Sequence, residues 1–202
     1  MGASANIATP IRLVMTRATG AASPAIRSLW EAISQTYLEG VPVQLSSGYV
    51  QEAATISSVA TALIAGFSLK VGQNLSTVKT PKFTSIKTPP NQSAAVTVAL
   101  GTPQSDAQAH LVEANDDNVF EGTIGNSSDG TLATIAATDL GANFGLTKDG
   151  TNSYWYVDKN ITALASGSCV KVVELVDVVG TLNGKVRFVV ISTAQQLQSQ
   201  PA

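Results

Sequence analysis

Asn143-Phe-Gly-Leu-Thr-Lys-Asp-Gly-Thr-Asn-Ser-Tyr-Trp-Tyr-Val-Asp158 holds one of the two tryptophans and two of the four tyrosines of the chain. Aromatic side chains bury the most area per residue, so Tyr154-Trp155-Tyr156 marks a core or an interface. Asp149-Gly150, just before it, is a dipeptide that tolerates positive φ and turns the chain back. The stretch therefore predicts an aromatic β-hairpin at the heart of a small β-domain, with Trp155 read first as core.

Working outward, the pattern stays two-periodic. Val41, Val43 and Leu45 alternate with Pro42 and Gln44, Ser47-Gly48 is a turn, and Tyr49–Glu52 reads as a return strand. Phe67, Leu69 and Val71 alternate behind a bend at Gly66. His110–Glu113 reads as a brief strand. Asp116-Asp117-Asn118 is a polar turn before Val119 and Phe120. Ser168–Val179 reads as one Val-rich strand, and Asn183-Gly184 as a type I′ hairpin turn leading into Arg187–Ile191. Lys79–Ser93, with three prolines, has no period and reads as an extended linker or loop.

The N-terminal part differs. Ser23 suits an N-cap and Pro24 a first helical position. Ile26, Leu29, Trp30, Ile33 and Tyr37 follow at spacings of three and four, which predicts a helix that Gly40 ends. Before it, Met1–Gly20 reads as an arm, with a short apolar run over Ile11–Met15. The expected fold class is mainly β: small β-barrel or sandwich modules with one N-terminal helix and an extended N-terminal arm. The expected organisation is arm and helix over 1–40, a first β-module over 41–115, a second over 116–192, and a flexible tail over 193–202.

Composition narrows the function. The chain has 202 residues, 44% hydrophobic but only 13% charged, about half the usual charged fraction of roughly 25%. A surface so poor in charge suits a protein covered by neighbours. Residues 1–90 carry seven Lys/Arg against three Asp/Glu, a net of +4, and residues 91–202 carry five against eleven, a net of −6. Such a split suggests that the two halves face different partners. Lys79, Lys82 and Lys87 are too scattered for a nucleic-acid surface. No apolar run reaches the ~18–20 residues that span a bilayer, and the first 20 residues, with Arg12 and Arg17, have no signal-peptide core.

No catalytic constellation stands out in the sequence. His110 and Glu113 form a His-x-x-Glu pair with no second histidine to complete a metal site. The single cysteine, Cys169, sits in a Val-rich strand and reads as a buried thiol. Asp116/Asp117 and Asp129-Gly130 lack calcium-loop spacing. There is no nucleophile elbow, phosphate-binding loop or dinucleotide fingerprint. The sequence thus assigns no catalytic residue, metal ligand or cofactor, and the expectation is a protein that is not an enzyme.

Seven motifs follow one another along residues 40–191: Gly40-Val-Pro-Val-Gln-Leu45, Ser47-Gly-Tyr-Val-Gln-Glu52, Ile64-Ala-Gly-Phe67, Val119-Phe-Glu-Gly-Thr-Ile-Gly125, Asn143-Phe-Gly-Leu-Thr147, Trp155-Tyr-Val-Asp-Lys159 and Val186-Arg-Phe-Val-Val190. Their order resembles a group of tailed-bacteriophage head decoration (cement) proteins. The resemblance implies a virion protein, made in the host cytoplasm, that binds the outer surface of the mature capsid as a homo-oligomer, commonly a trimer. It implies the major capsid protein as partner, with no nucleic acid and no membrane. The candidate interface residues are Ile11, Arg12, Leu13 and Arg17 of the arm and Trp30. The alternatives are a carbohydrate- or receptor-binding β-module of a tail or fibre, for which an exposed Trp155 would be the stacking platform, and a tail-tube or connector protein.

Overall fold

A computed structural model of the chain describes residues 10–16, 26–32, 35–53, 63–70, 72, 108–126, 133–150, 153–163 and 166–197. Within them run eleven strands: β1 (Arg12–Thr16), β2 (Ile26–Trp30), β3 (Pro42–Ser46), β4 (Tyr49–Glu52), β5 (Gly66–Ser68), β6 (Gln108–Glu113), β7 (Asn118–Gly125), β8 (Asn143–Lys148), β9 (Trp155–Asp158), β10 (Val170–Leu175) and β11 (Lys185–Val190). The only helical turns among the described elements are two three-residue 3-10 turns, Ala137–Asp139 and Ser192–Ala194.

The aromatic hairpin forms as its sequence predicts. β8 and β9 pair antiparallel from Gly145↔Asp158 to Lys148↔Trp155. The turn closes with the Asp149 N–H donating to Tyr154 O at 2.7 Å and the Ser153 N–H donating to Asp149 O at 3.0 Å. Around it the chain closes a five-stranded barrel in the order β7-β11-β10-β8-β9. The closing contact is parallel, Ile124↔Val157 and Gly125↔Asp158, and a closed sheet has no free edge to protect. β1 lies along the first half of β7, Arg12↔Glu121 to Thr16↔Asn118. β7, held by β1, β9 and β11, is buried over all eight residues.

The other five strands form a second sheet in the order β2-β6-β5-β3-β4. It also curls back on itself: Glu31, just past β2, bridges Val50 of β4, and the Ala32 N–H donates to Val50 O at 2.7 Å. Ser47 and Gly48 both take positive φ, +50° and +84°, which matches the twist of the tight β3–β4 hairpin. At Gly66 the backbones of β5 and β6 approach so closely that a Cβ would lie 2.1 Å from Val112 O.

The two sheets share one hydrophobic core. At their junction Phe67 of β5 meets Phe120 of β7 and Phe188 of β11, with ring centroids 4.4 and 6.1 Å apart, and Phe120 and Phe188 are 6.1 Å from each other. The crossing from β6 to β7 is fixed by Asn115, whose Oδ1 accepts the N–H groups of Asp117 and Asn118, and by Asn118 Nδ2, which donates to Glu113 O at 2.8 Å.

Several expectations need correction. The predicted helix is not formed where the chain is described: Ile26–Trp30 is β2, which pairs with β6 along its whole length, Ile26↔Val112 to Trp30↔Gln108. Ladder bonds with a neighbouring strand outweigh the local helical spacing. The Val-rich strand stops at Leu175, after a bulge between Val172 and Glu174, so Val176 and Val178 lie in a loop. Asn183-Gly184 is not a two-residue turn but the last part of that loop. Asn183 takes φ +48° and exchanges bonds with Ala133, donating its N–H to Ala133 O at 2.8 Å and accepting the Ala133 N–H on Oδ1 at 3.1 Å. The start of the expected flexible tail is docked. Gln195 bridges Ile64, and the Gln196 side chain takes the place of a strand neighbour for Leu45, accepting its N–H at 2.6 Å and donating to its carbonyl at 2.8 Å. The Pro-rich loop 79–93 lies outside the described residues.

Candidate interaction surface

The residues singled out as possible ligands are engaged in pairs. On β6, His110 Nδ1 and Ser28 Oγ are 2.9 Å apart, while Glu113 takes Arg27 Nε at 2.7 Å, so the His-x-x-Glu pair serves β2–β6 packing. Asp116 accepts from Gln195 Nε2 at 2.6 Å. No group of three or more His, Cys, Asp or Glu side chains converges on one point among the described residues. Burial pushes the Cys169 thiol up to about 12, against a smaller opposing hydrogen bond from the Leu146 backbone, so the thiolate nucleophile is suppressed. Trp155 is 1% exposed, and its Nε1 donates to Glu52 Oε1 at 3.1 Å, a carboxylate that also pairs with Lys148 at 2.7 Å. The aromatic cluster is therefore core, with a polar latch between β9 and β4, and Trp155 offers no face for stacking a sugar. No helix among the described residues is long and apolar enough to cross a membrane.

The candidate arm residues separate when placed in the fold. Ile11 is 2% exposed and belongs to the chain's own core. Leu13 packs partly against that core. Arg12 extends from β1 with its side chain 67% exposed, yet reaches Glu121 Oε1 at 3.0 Å. Arg17 lies outside the described residues. Trp30, at the end of β2, is 50% exposed, and Ile26 at the other end is 56% exposed. Ile11, Arg12 and Leu13 line one groove together with Ile26 and Leu69. It has a volume of about 300 Å³ and is floored by Phe67 and Phe120 where the two sheets meet. Trp30 does not line it.

Beside that groove Glu121 collects three cations, Arg12 at 3.0 Å and Lys185 and Arg187 at 3.6 Å each. Burial pushes the Glu121 carboxyl up, but the Arg12 hydrogen bond and the charges of Arg12, Lys185 and Arg187 together outweigh it and hold the carboxyl below its ordinary value. Arg187 also bonds Glu174 at 2.8 Å. The cluster fixes β1 and β11 on either side of β7.

Among the described residues, one cluster of exposed apolar side chains falls at the end of the run that the sequence predicts as a single strand. Between β10 and β11, Val176, Val178, Val179 and Leu182 are 38%, 79%, 54% and 53% exposed. The loop that carries them is held firmly. The Gly180 N–H donates to Ile135 O at 2.9 Å, the Ile135 N–H to Thr181 O at 3.0 Å, and the Lys185 N–H to Asp177 Oδ2 at 2.7 Å. Gly184 lets Ile135 pack beneath: a Cβ there would meet Ile135 Cδ1 at 2.5 Å. Four exposed apolar side chains within seven residues on a well-bonded loop make this the candidate interaction surface. The sequence signal was the Val-Asp-Val-Val-Gly run itself, in which Asp177 competes for the backbone and Gly180 breaks the ladder.

Comparison with protein-family models, with characterised proteins and with solved structures finds no match for this chain.

Proposed function

We propose that this chain is a non-enzymatic structural protein of a tailed-phage virion, which docks on the outside of the mature shell and bridges neighbouring major capsid subunits. The observation that carries the reading is the firmly bonded apolar loop of Val176–Leu182 on a small barrel. That arrangement suits binding a protein surface, and the order of motifs over residues 40–191 supplies the kind of surface. The charge-poor composition is in keeping with a protein covered by neighbours. The mechanism is linkage: binding energy gained only on the expanded lattice favours that lattice over others, by about 2.7 kcal/mol per site at a hundredfold excess over Kd. The sugar-stacking alternative loses its platform because Trp155 is buried.

The test is co-sedimentation of the purified chain with mature heads, stripped of decoration, of the phage that encodes it. Saturable binding at a fixed number of copies per capsid subunit is expected. No binding to mature heads, or assembly of the free chain into tubes, would overturn the reading.

A further inference from the structure

We infer that Asn183-Gly184 is a modification site, an asparagine that converts to isoaspartate when released and that the fold holds closed. The chain has one Asn-Gly pair. A glycine, with no side chain beside its nitrogen, lets that nitrogen swing round to the preceding asparagine side chain. The Gly184 nitrogen attacks Asn183 Cγ and forms a new C–N bond. The side-chain nitrogen leaves as ammonia, taking the proton lost from the Gly184 N–H, and a five-membered succinimide remains. Water then opens the ring. Attack at Cγ gives aspartate, and attack at the main-chain carbonyl gives isoaspartate, in which the chain runs through Cβ and Cγ. Water is the only reactant consumed, and nothing is oxidised or reduced.

The fold blocks the first step. Ring closure requires Asn183 to turn about its Cα–Cβ bond and the peptide to Gly184 to rotate, and both are pinned. Ala133 clasps Asn183 from two sides, its carbonyl taking the Asn183 N–H at 2.8 Å and its N–H held by Asn183 Oδ1 at 3.1 Å. Leu182, just before, bridges Thr134, and Gly184 O, just after, accepts the Ile124 N–H at 2.9 Å. Gly184 is buried against Ile135, whose Cδ1 would lie 2.5 Å from a Cβ, so it has no room to swing. The β3–β4 turn supplies an unclasped counterpart. Ser47 takes φ +50°, close to the +48° of Asn183, but is exposed, and a Cβ on Gly48 would meet nothing within 4 Å. What distinguishes Asn183 is therefore the Ala133 clasp and the packing of Ile135, not its backbone angle. Isoaspartate adds one carbon to the main chain between the Ala133 and Ile124 bonds, which then no longer line up, so the Val176–Leu182 loop loses its anchor. This stands on the chain alone and needs no capsid, so its failure leaves the capsid reading to its own test.

The experiment follows conversion by peptide mapping and mass spectrometry on the full chain carrying Ser47→Asn, which places a second Asn-Gly pair in the exposed turn. Asparagine suits positive φ in a tight hairpin, and a thermal melt checks that the variant folds. The chain is incubated at pH 8 in buffer and in unfolding urea. In urea, positions 47 and 183 should convert at similar rates, ahead of the other asparagines. In buffer, position 47 should convert at least about tenfold faster than Asn183, the ratio given by an opening cost of about 1.4 kcal/mol for the clasp. The parent chain carries the same test without a variant, since its Asn183 should convert far more slowly in buffer than in urea. Chain converted in urea and refolded should melt below unconverted chain taken through the same cycle. Conversion of Asn183 at the same rate in buffer as in urea, or as fast as position 47 in the folded variant, overturns the protected site, and an unchanged melting temperature after conversion overturns the loss of the anchor.

Discussion

Replacing Phe67 by alanine removes the ring that ties the two sheets together. Phe67 is 2% exposed and lies within 4.4 Å of Phe120 and 6.1 Å of Phe188, centroid to centroid. Truncating a buried phenylalanine costs about 3–5 kcal/mol, the transfer term plus the cavity left behind. With a urea slope of about 3 kcal/mol/M, the upper part of the range for small proteins, the unfolding midpoint should fall by roughly 1–1.7 M. The two tryptophans report separately, since Trp30 lies in the sheet of β2 and Trp155 in the barrel. Urea titrations of Phe67→Ala would be made on the Trp30→Phe and Trp155→Phe backgrounds, each against its own parent. A shared core predicts the same midpoint shift from both probes. A shift seen by Trp30 alone, with the Trp155 transition unmoved, would refute the claim that the sheets unfold as one unit.

Further outcomes follow from local geometry. Gly66→Ala should cost about 3 kcal/mol or more, since a Cβ 2.1 Å from Val112 O forces β5 off β6 and overpacking alone costs 1–3 kcal/mol; a melting temperature equal to the parent's would contradict the register given for this pair. Glu121 is held below its ordinary pKa in the fold, so its stabilisation is present above the unfolded carboxyl value of about 4.3 and is lost as pH falls through the lower folded value. Glu121→Gln should accordingly be less stable than the parent at neutral pH and lose less on acidification, measured by melting temperature between pH 7 and 3. Cys169, fully buried with its thiol pushed up to about 12, should resist a thiol reagent at pH 8 until the chain is denatured; prompt labelling of the native protein would place it elsewhere. In Trp30→Phe, acrylamide should barely quench Trp155, whereas strong quenching would reopen the sugar-binding alternative.

How far the fold could be read in advance depended on whether local and long-range preferences agreed. At Asn143–Asp158 they did: the aromatic alternation, the Asp149-Gly150 break and the need to bury Trp155 all point to one hairpin, and Ser47-Gly48 with Val41–Glu52 is a second case. At Ile26–Trp30 they conflicted. Apolar spacings of three and four describe a helix face, but the segment gains a full ladder on β6, and its exposed side chains show that it was never patterned for a buried stripe. At Val170–Val178 the run of valines hides where the strand ends, because the bulge after Val172 and the Asp177 bond to Lys185 N–H depend on β11. The candidate surface divides for the same reason. Of the arm residues, Ile11 fills the core beside Gly122 and Phe188 while Arg12 stays exposed, and the exposed valines lie past the point where the strand ends. The closure of the barrel by β7 and β9 pairs residues about 33 positions apart, Ile124↔Val157 and Gly125↔Asp158, and no periodicity along the chain encodes such a contact.

The most direct test of the proposed role is the temperature at which mature heads open, measured by dye access to packaged DNA with and without the purified chain at saturating concentration. The account predicts a clear rise that disappears with Val178→Asp, the variant that removes the exposed apolar loop. An unchanged opening temperature while the chain is bound at full occupancy would contradict it.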